Sequence, residues 1–198
     1  MKIKISRHAL SQSRLPFLFF LCMVTLSSLA FAEEMKLNSA IVFNVKTNLF
    51  AVQFDGNADP EKVLFELTLQ TTESSLMISE VSVTIPLEAL STGIKVRDKH
   101  MKEKIFQTQD GQQPPILFKS QQNSCVVEIK GGDCTLNGEL EIAGRNLPTA
   151  IPLHVEQTEG TWKASGQMVI LLDAFQIKPP GYMGVKVNNA VTVQYEVW

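Results

Sequence analysis

"AVTVQYEVW", residues 190–198, decides how this chain folds. Val191, Val193, Tyr195 and Val197 take every second position, and Thr192, Gln194 and Glu196 fill the gaps. Successive side chains point to opposite faces of a strand, so this pattern describes a strand with one dry face. The period recurs upstream. Val63, Phe65, Leu67 and Leu69 alternate with Leu64, Glu66 and Thr68, and Val81, Val83, Ile85 and Leu87 alternate with Ser82 and Thr84. Leu140 and Ile142, then Ile151, Leu153 and Val155, continue it. In "TWKASGQMVILL", residues 161–172, one face carries Trp162, Ala164, Gly166, Met168, Ile170 and Leu172, and "AIVFNVKTNLFAVQF", residues 40–54, is also strand-like. Turn signals at Gly56-Asn57, Asp110-Gly111, Gly131-Gly132 and Glu159-Gly160 separate many of these runs. The expectation is an all-β meander of about eight antiparallel strands. Such a sheet buries its apolar face as a sandwich or as a barrel, and periodicity does not choose between them. The choice bears on function, because an eight-stranded barrel is either filled by side chains or wide enough for one ligand.

Residues 1–32 read differently. Lys2, Lys4, Arg7 and Arg14 precede the apolar run "LPFLFFLCMVTLSSLAFA", residues 15–32, which ends in small residues at Ala30 and Ala32. This is the pattern of a secretory signal peptide cut before Glu33, leaving residues 33–198 as one domain. No later stretch approaches the roughly 20 apolar residues of a spanning helix, so an integral membrane protein is not expected. Without residues 1–32, 14 basic residues face 20 acidic ones, a net charge of −6. That balance argues against a nucleic-acid partner, which demands a basic face. In the oxidising space outside the inner membrane, Cys125 and Cys134 of "CVVEIKGGDC" are candidates for a structural disulfide that closes a small loop.

One helix is expected within "LSTGIKVRDKHMKEKIF", residues 90–106. Met101, Ile105 and Phe106 recur at helical spacing after Asp98, which is placed to cap the first turn. The chemistry-bearing residues are sparse. His154 falls on the polar face of its strand, and His100 has no serine or cysteine beside it in a nucleophile motif. Neither H-E-x-x-H nor a paired C-x-x-C occurs, so neither a catalytic set nor a metal site is expected.

The same stretch carries a spaced signature. Thr92 is followed by Arg97, Asp98, His100 and Phe106, and then by Pro115, Phe118 and Ser120 in "PPILFKS". A second block, "NGELEIAGRNLP", places Gly138, Leu140, Gly144 and Pro148 in order, and a third runs from Asp173 to Tyr195. These blocks resemble the YceI-like family of periplasmic polyisoprenoid-binding proteins, well over residues 76–198 and weakly over 36–75. Gln176 departs from the pattern, standing where the family usually has glycine.

The resemblance implies a periplasmic, non-enzymatic protein with an eight-stranded antiparallel lipocalin-like barrel and one or two short helices. Its partner would be a hydrophobic small molecule, a polyisoprenoid such as a quinone, with no other cofactor; a homodimer is compatible with it. Phe43, Phe65, Phe118, Met168, Phe175 and Tyr182 are the candidates to line the cavity, against the alternative that they fill it. Asp98 is read as structural. Arg97 either anchors the crossover or stands with His100 at the mouth near a polar head group. From a different class, the alternative is a filled barrel or sandwich serving as a protein-interaction module in envelope stress, without a lipid.

Overall fold

The computed structural model describes residues 3–5, 37–121 and 125–198, and most of the expected signal peptide falls outside that range. Its strands are β1 (Ile3–Ile5), β2 (Ser39–Thr47), β3 (Gln53–Ala58), β4 (Leu64–Thr71), β5 (Ser75–Ile85), β6 (Leu90–Ser91), β7 (Ile116–Ser120) and β8 (Cys125–Glu128). They continue with β9 (Gly131–Ile142), β10 (Arg145–Thr158), β11 (Thr161–Leu171), β12 (Gly181–Tyr182) and β13 (Val185–Val197). One α-helix, α1 (Lys95–Lys104), and short 3-10 turns at Leu87–Ala89 and Leu172–Phe175 complete the set.

The wall runs β4-β5-β7-β9-β10-β11-β13-β2, which is eight strands, and every ladder along it is antiparallel. β3 and β6 extend it beyond β2, β8 continues the line of β7 between β5 and β9, and β1 lies parallel to the outer edge of β4. The two ends of the wall meet through side chains. Phe65 in β4 and Val63 just before it pack with Ala58, Leu90 and Met101, and with Ile41 and Phe43 of β2. That apolar seam closes the sheet into a lipocalin-like barrel and shields the strand edges from water.

Tight turns set the register. Ala143-Gly144 and Glu159-Gly160 take positive φ at both positions, 51° and 73°, then 52° and 82°. This is the two-residue hairpin geometry whose twist matches that of the strands it joins. Two expected turns lie elsewhere. Gly56-Asn57 is inside β3, opposite Phe43 and Val42. The β8–β9 hairpin turns at Ile129-Lys130 instead of at the glycines, since Glu128 pairs with Gly131. That register brings Cys125 opposite Cys134, and the two form a disulfide with Cα atoms 5.6 Å apart. The long segment 40–54 is also broken, between Thr47 and Gln53, into β2 and β3.

In β5 the inward parity changes. Leu76 and Ile78 are buried ahead of Glu80, and Val81 is buried after it. Glu80 adopts φ 51° at a register shift against β4, which is a β-bulge. The bulge inserts one residue, so apolar positions switch from even to odd numbers without leaving the interior. Ser120 at the end of β7 accepts a hydrogen bond from the Val81 amide at 2.8 Å, supplying the partner that the interrupted ladder withholds. Ser120→Ala is therefore expected to cost about 1–3 kcal/mol, the penalty of an orphaned, partly buried amide. A lower urea midpoint at unchanged slope would show it; an unshifted midpoint would refute this role for the hydroxyl.

Candidate functional site

Inside the barrel lies a cavity of about 300 Å³. Every strand of the wall lines it, from Val45 on β2, Leu69 on β4 and Ile78 on β5 to Phe118, Leu140, Leu153, Met168 and Val193 on β7, β9, β10, β11 and β13. Most inward residues of β10, β11 and β13, among them Ile151, Leu153, Met168, Val191 and Val193, are only half-buried. Their free surface faces the lumen, which is the mark of a hollow barrel. Met101, Ile105 and Phe106, at the end of α1 and just beyond it, add to the lining.

Three rings keep the space open. The ring of Phe43 crosses Gly56, where a Cβ would come within 2.1 Å of it, and Phe118 crosses Gly138, with 2.7 Å to the nearest ring atom. Tyr195 crosses Gly166, with 2.6 Å to its hydroxyl. All three glycines occupy inward positions of their strands, so each ring lies along the wall over the place where a side chain would project. The Tyr195 hydroxyl donates to the Pro152 carbonyl at 2.5 Å, reaching across β11 from β13 to β10. Lys163 also borders the lining, but its ammonium is on the outer face, where it pairs with Glu196 at 3.2 Å.

Of the residues singled out in the sequence, Phe43, Phe65, Phe118 and Met168 line the cavity. Phe175 does not: it is buried with Leu172 and Ile177 in the larger core cluster, on the turn after β11. Tyr182 lies in β12, and its side chain is outside the described part of the structure. Gln176, next to Phe175, takes the left-handed φ of 58°, which accounts for glycine being favoured there. Trp162, Tyr195, Ile151 and Val155 belong to the lining and were not singled out, although their period-two placement marks them as inward.

The Arg97, Asp98, His100 cluster proves to be built around Thr92. α1 starts at Lys95, ahead of Asp98, so the expected cap is not made; its N-cap position is Ile94, without a side-chain bond. Asp98 instead reaches back to accept from the Thr92 amide at 2.7 Å, from the Thr92 hydroxyl, and from the Ser91 hydroxyl at 3.1 Å. Arg97 donates to the Thr92 carbonyl at 2.6 Å and hydroxyl at 2.8 Å, and its guanidinium stacks on Phe54, 4.1 Å from the ring centre. His100 is exposed on the outer side of α1, and neither it nor Arg97 is among the lining residues. His154 is on the outer surface beside Asp133, 2.6 Å away. Among the described residues no group of three histidine, cysteine or acidic side chains is arranged to hold a metal, and no helix is long and apolar enough to cross a membrane.

An antiparallel barrel wrapped around an apolar hollow defines the lipocalin-like class of folds. Within it, this chain belongs to the YceI-like family: the family's YceI-like domain matches residues 35–198. The crystal structure of Burkholderia cenocepacia BcnA superposes with a TM-score of 0.62 over 80% of this chain and 94% of that chain, at 17% identity. A polyisoprenoid binding domain from Saccharophagus degradans, implicated in plant cell wall breakdown, gives 0.55 over 80% and 91%, at 13% identity. A search of the curated proteins finds no match.

Two titrations test this geometry. Partial burial pushes the Asp98 carboxyl up, but the hydrogen bonds from Thr92 and Ser91 and the nearby Lys102 charge outweigh it and hold the group below its usual range. A depressed value means that its stabilisation is complete above the unfolded-chain value of about 3.9 and is lost as the pH falls through the folded one. Asp98→Asn is expected to be less stable by about 1–2 kcal/mol near neutral pH, with the gap to wild type closing below roughly pH 4. A gap that stays constant into acid would contradict the assignment. Burial pushes the Tyr195 phenol up to about 12. The stability it lends is present below about pH 10 and is lost as the pH rises towards the folded value. Absorbance at tyrosinate wavelengths should show a late step that coincides with loss of β-sheet circular dichroism and is absent from Tyr195→Phe.

Proposed function

We propose that this protein holds the prenyl tail of a polyisoprenoid lipid, a quinone being one example, inside its barrel, and that it works in the periplasm after loss of residues 1–32 as a signal peptide. The observation that carries this reading is the apolar hollow itself. A barrel serving only as a protein-interaction module has no use for unfilled space at its centre, whereas a tail-binding protein requires it. The Saccharophagus domain, described as polyisoprenoid-binding, has the same fold and supports the choice of tail.

The dimensions decide how much tail is held. A water-sized group takes roughly 30 Å³, so about 300 Å³ accommodates on the order of ten carbon atoms, or two isoprene units. At about 0.8 kcal/mol per buried CH₂, ten groups give on the order of 8 kcal/mol before ordering costs, which sets roughly micromolar as the upper limit of affinity for the buried part of the tail. A longer polyprenyl chain gains entry by moving lining side chains or leaves its remainder at the mouth. Among the described residues the lumen offers no charge, because its lining is apolar and the Lys163 ammonium is outside, paired with Glu196. A polar head group therefore belongs outside, and the tail inside. Holding a lipid in this way requires no catalytic residue, so the role is that of a carrier or sequestering protein.

Extraction of the exported protein followed by mass spectrometry should release a prenyl lipid, and a fluorescent prenyl probe should bind the emptied protein. Ala164→Phe, which fills part of the lumen, is expected to weaken probe binding roughly tenfold or more while leaving the unfolding temperature unchanged or raised. If gentle preparations contain no lipid and the emptied protein ignores prenyl probes, this reading falls.

A further inference from the structure

At the end of the barrel where β2 passes into β3, an apolar group stands in solvent. Phe50 is fully exposed, at 103% of its reference surface, and Leu49 and Val52 flank it on the same loop. Met183, 85% exposed, sits on the adjoining β12–β13 turn. The two loops are held together. The Asn48 amide donates to the Lys186 carbonyl at 2.9 Å, its side-chain oxygen accepts from the Lys186 amide at 2.7 Å, and its side-chain nitrogen donates to the Gly184 carbonyl at 3.2 Å. The β2–β3 loop is also pinned from within. The Thr47 hydroxyl bonds the Val52 carbonyl at 2.7 Å and accepts from the Leu49 amide at 3.2 Å, and the Val52 amide donates to the Leu49 carbonyl at 2.8 Å. Phe50 is thus presented outward by a bonded scaffold. Clustered apolar side chains fixed in water mark a surface that something covers.

The charge around them indicates what covers it. Segments 46–54 and 178–190, which form this tip, contain Lys46, Lys178 and Lys186 and no acidic residue, with the single carboxylate of Asp173 bordering them through its amide hydrogen bond to Asn189 at 2.9 Å, in a chain whose residues 33–198 carry a net charge of −6. A local cationic rim around apolar tips is complementary to an anionic phospholipid surface: lysines meet the head groups while the apolar side chains enter the acyl boundary. We infer that this tip is a docking surface that seats the barrel on an anionic bilayer. The choice of a bilayer as occupant rests on the lipid-binding reading above; the exposed tip does not.

Sedimentation of the exported protein with vesicles tests it. Wild type should pellet with phosphatidylglycerol-containing vesicles, less so at high salt, and only weakly with pure phosphatidylcholine. Phe50→Ser combined with Met183→Ser should weaken the interaction roughly tenfold or more, with binding of the prenyl probe unchanged. Equal pelleting of wild type and variant would overturn the inference, as would absence of pelleting in wild type. Concentration-dependent self-association abolished by Phe50→Ser would overturn it too, by making the tip an interface between copies. A protein that pellets normally yet binds no prenyl probe would uphold the docking surface and sink the tail reading alone, so the two failures are distinct.

Discussion

The structure depends on three rings lying over three glycines. A barrel wall of Val, Leu, Ile and Phe tends to fill its own centre, because every inward side chain gains by meeting its opposite number. Here Phe43, Phe118 and Tyr195 are turned aside over Gly56, Gly138 and Gly166, where no side chain competes for the wall. An aromatic ring crossing a neighbouring strand glycine covers the exposed backbone and pins the register between strands. It also leaves the middle unclaimed. The same contact therefore stabilises the wall and preserves the hollow; a β-carbon at Gly56 would drive the Phe43 ring towards the lumen, and one at Gly138 or Gly166 would meet a neighbouring backbone carbonyl as well as the ring.

Seen this way, the residues that give the chain its family signature are mainly builders. Ser120 completes the hydrogen bonding of the bulge at Glu80, and the bulge lets β5 keep apolar side chains inward along its whole length. Asp98 and Arg97 converge on Thr92 and fasten the β6–α1 link, which carries Met101, Ile105 and Phe106 over the cavity. The first contact completes the β5–β7 ladder where the bulge interrupts it, and the second joins segments that have no ladder between them. Phe106, Phe118 and Leu140 belong to the signature and also line the cavity, so part of the signature shapes the hollow directly while the polar part fastens its wall.

The fold was largely legible because the period-two signal is local. Alternation through 63–69, 151–155 and 191–197 places strands correctly and identifies their dry faces without reference to the rest of the chain. What local patterns do not encode is relative phase. Leu76 and Ile78 fall out of step with Val81 and Val83, and only the bulge shows that all four face inward. Gly56-Asn57 looks like a turn because glycine usually signals one; its reason for being there is a ring on another strand, Phe43. Asp98 has the composition of a cap but bonds backwards to Thr92, since α1 begins three residues before it. The site was less legible than the wall. Choosing aromatic residues found Phe43, Phe65 and Phe118, yet it also took in Phe175, which is buried in the core cluster on the turn after β11, and passed over Ile151 and Val155. Lining is a property of angular position around the barrel, and residue type is only a weak guide to it.

A hollow has an energetic consequence for the protein that maintains it. At roughly 24 cal/mol per Å³, an unfilled apolar space of about 300 Å³ costs on the order of 7 kcal/mol relative to a packed interior. That is comparable with the whole stability of an ordinary domain. The wall must recover it elsewhere, and the Cys125–Cys134 disulfide contributes roughly 3 kcal/mol of the kind that needs no filled core. The deficit is also close to the roughly 8 kcal/mol that ten buried methylene groups supply. Affinity for a tail and instability of the empty barrel are then two measures of one missing set of contacts. A variant that packs the lumen with its own side chains gains stability and loses affinity by similar amounts, whereas a change to the outer wall alters neither in that linked way.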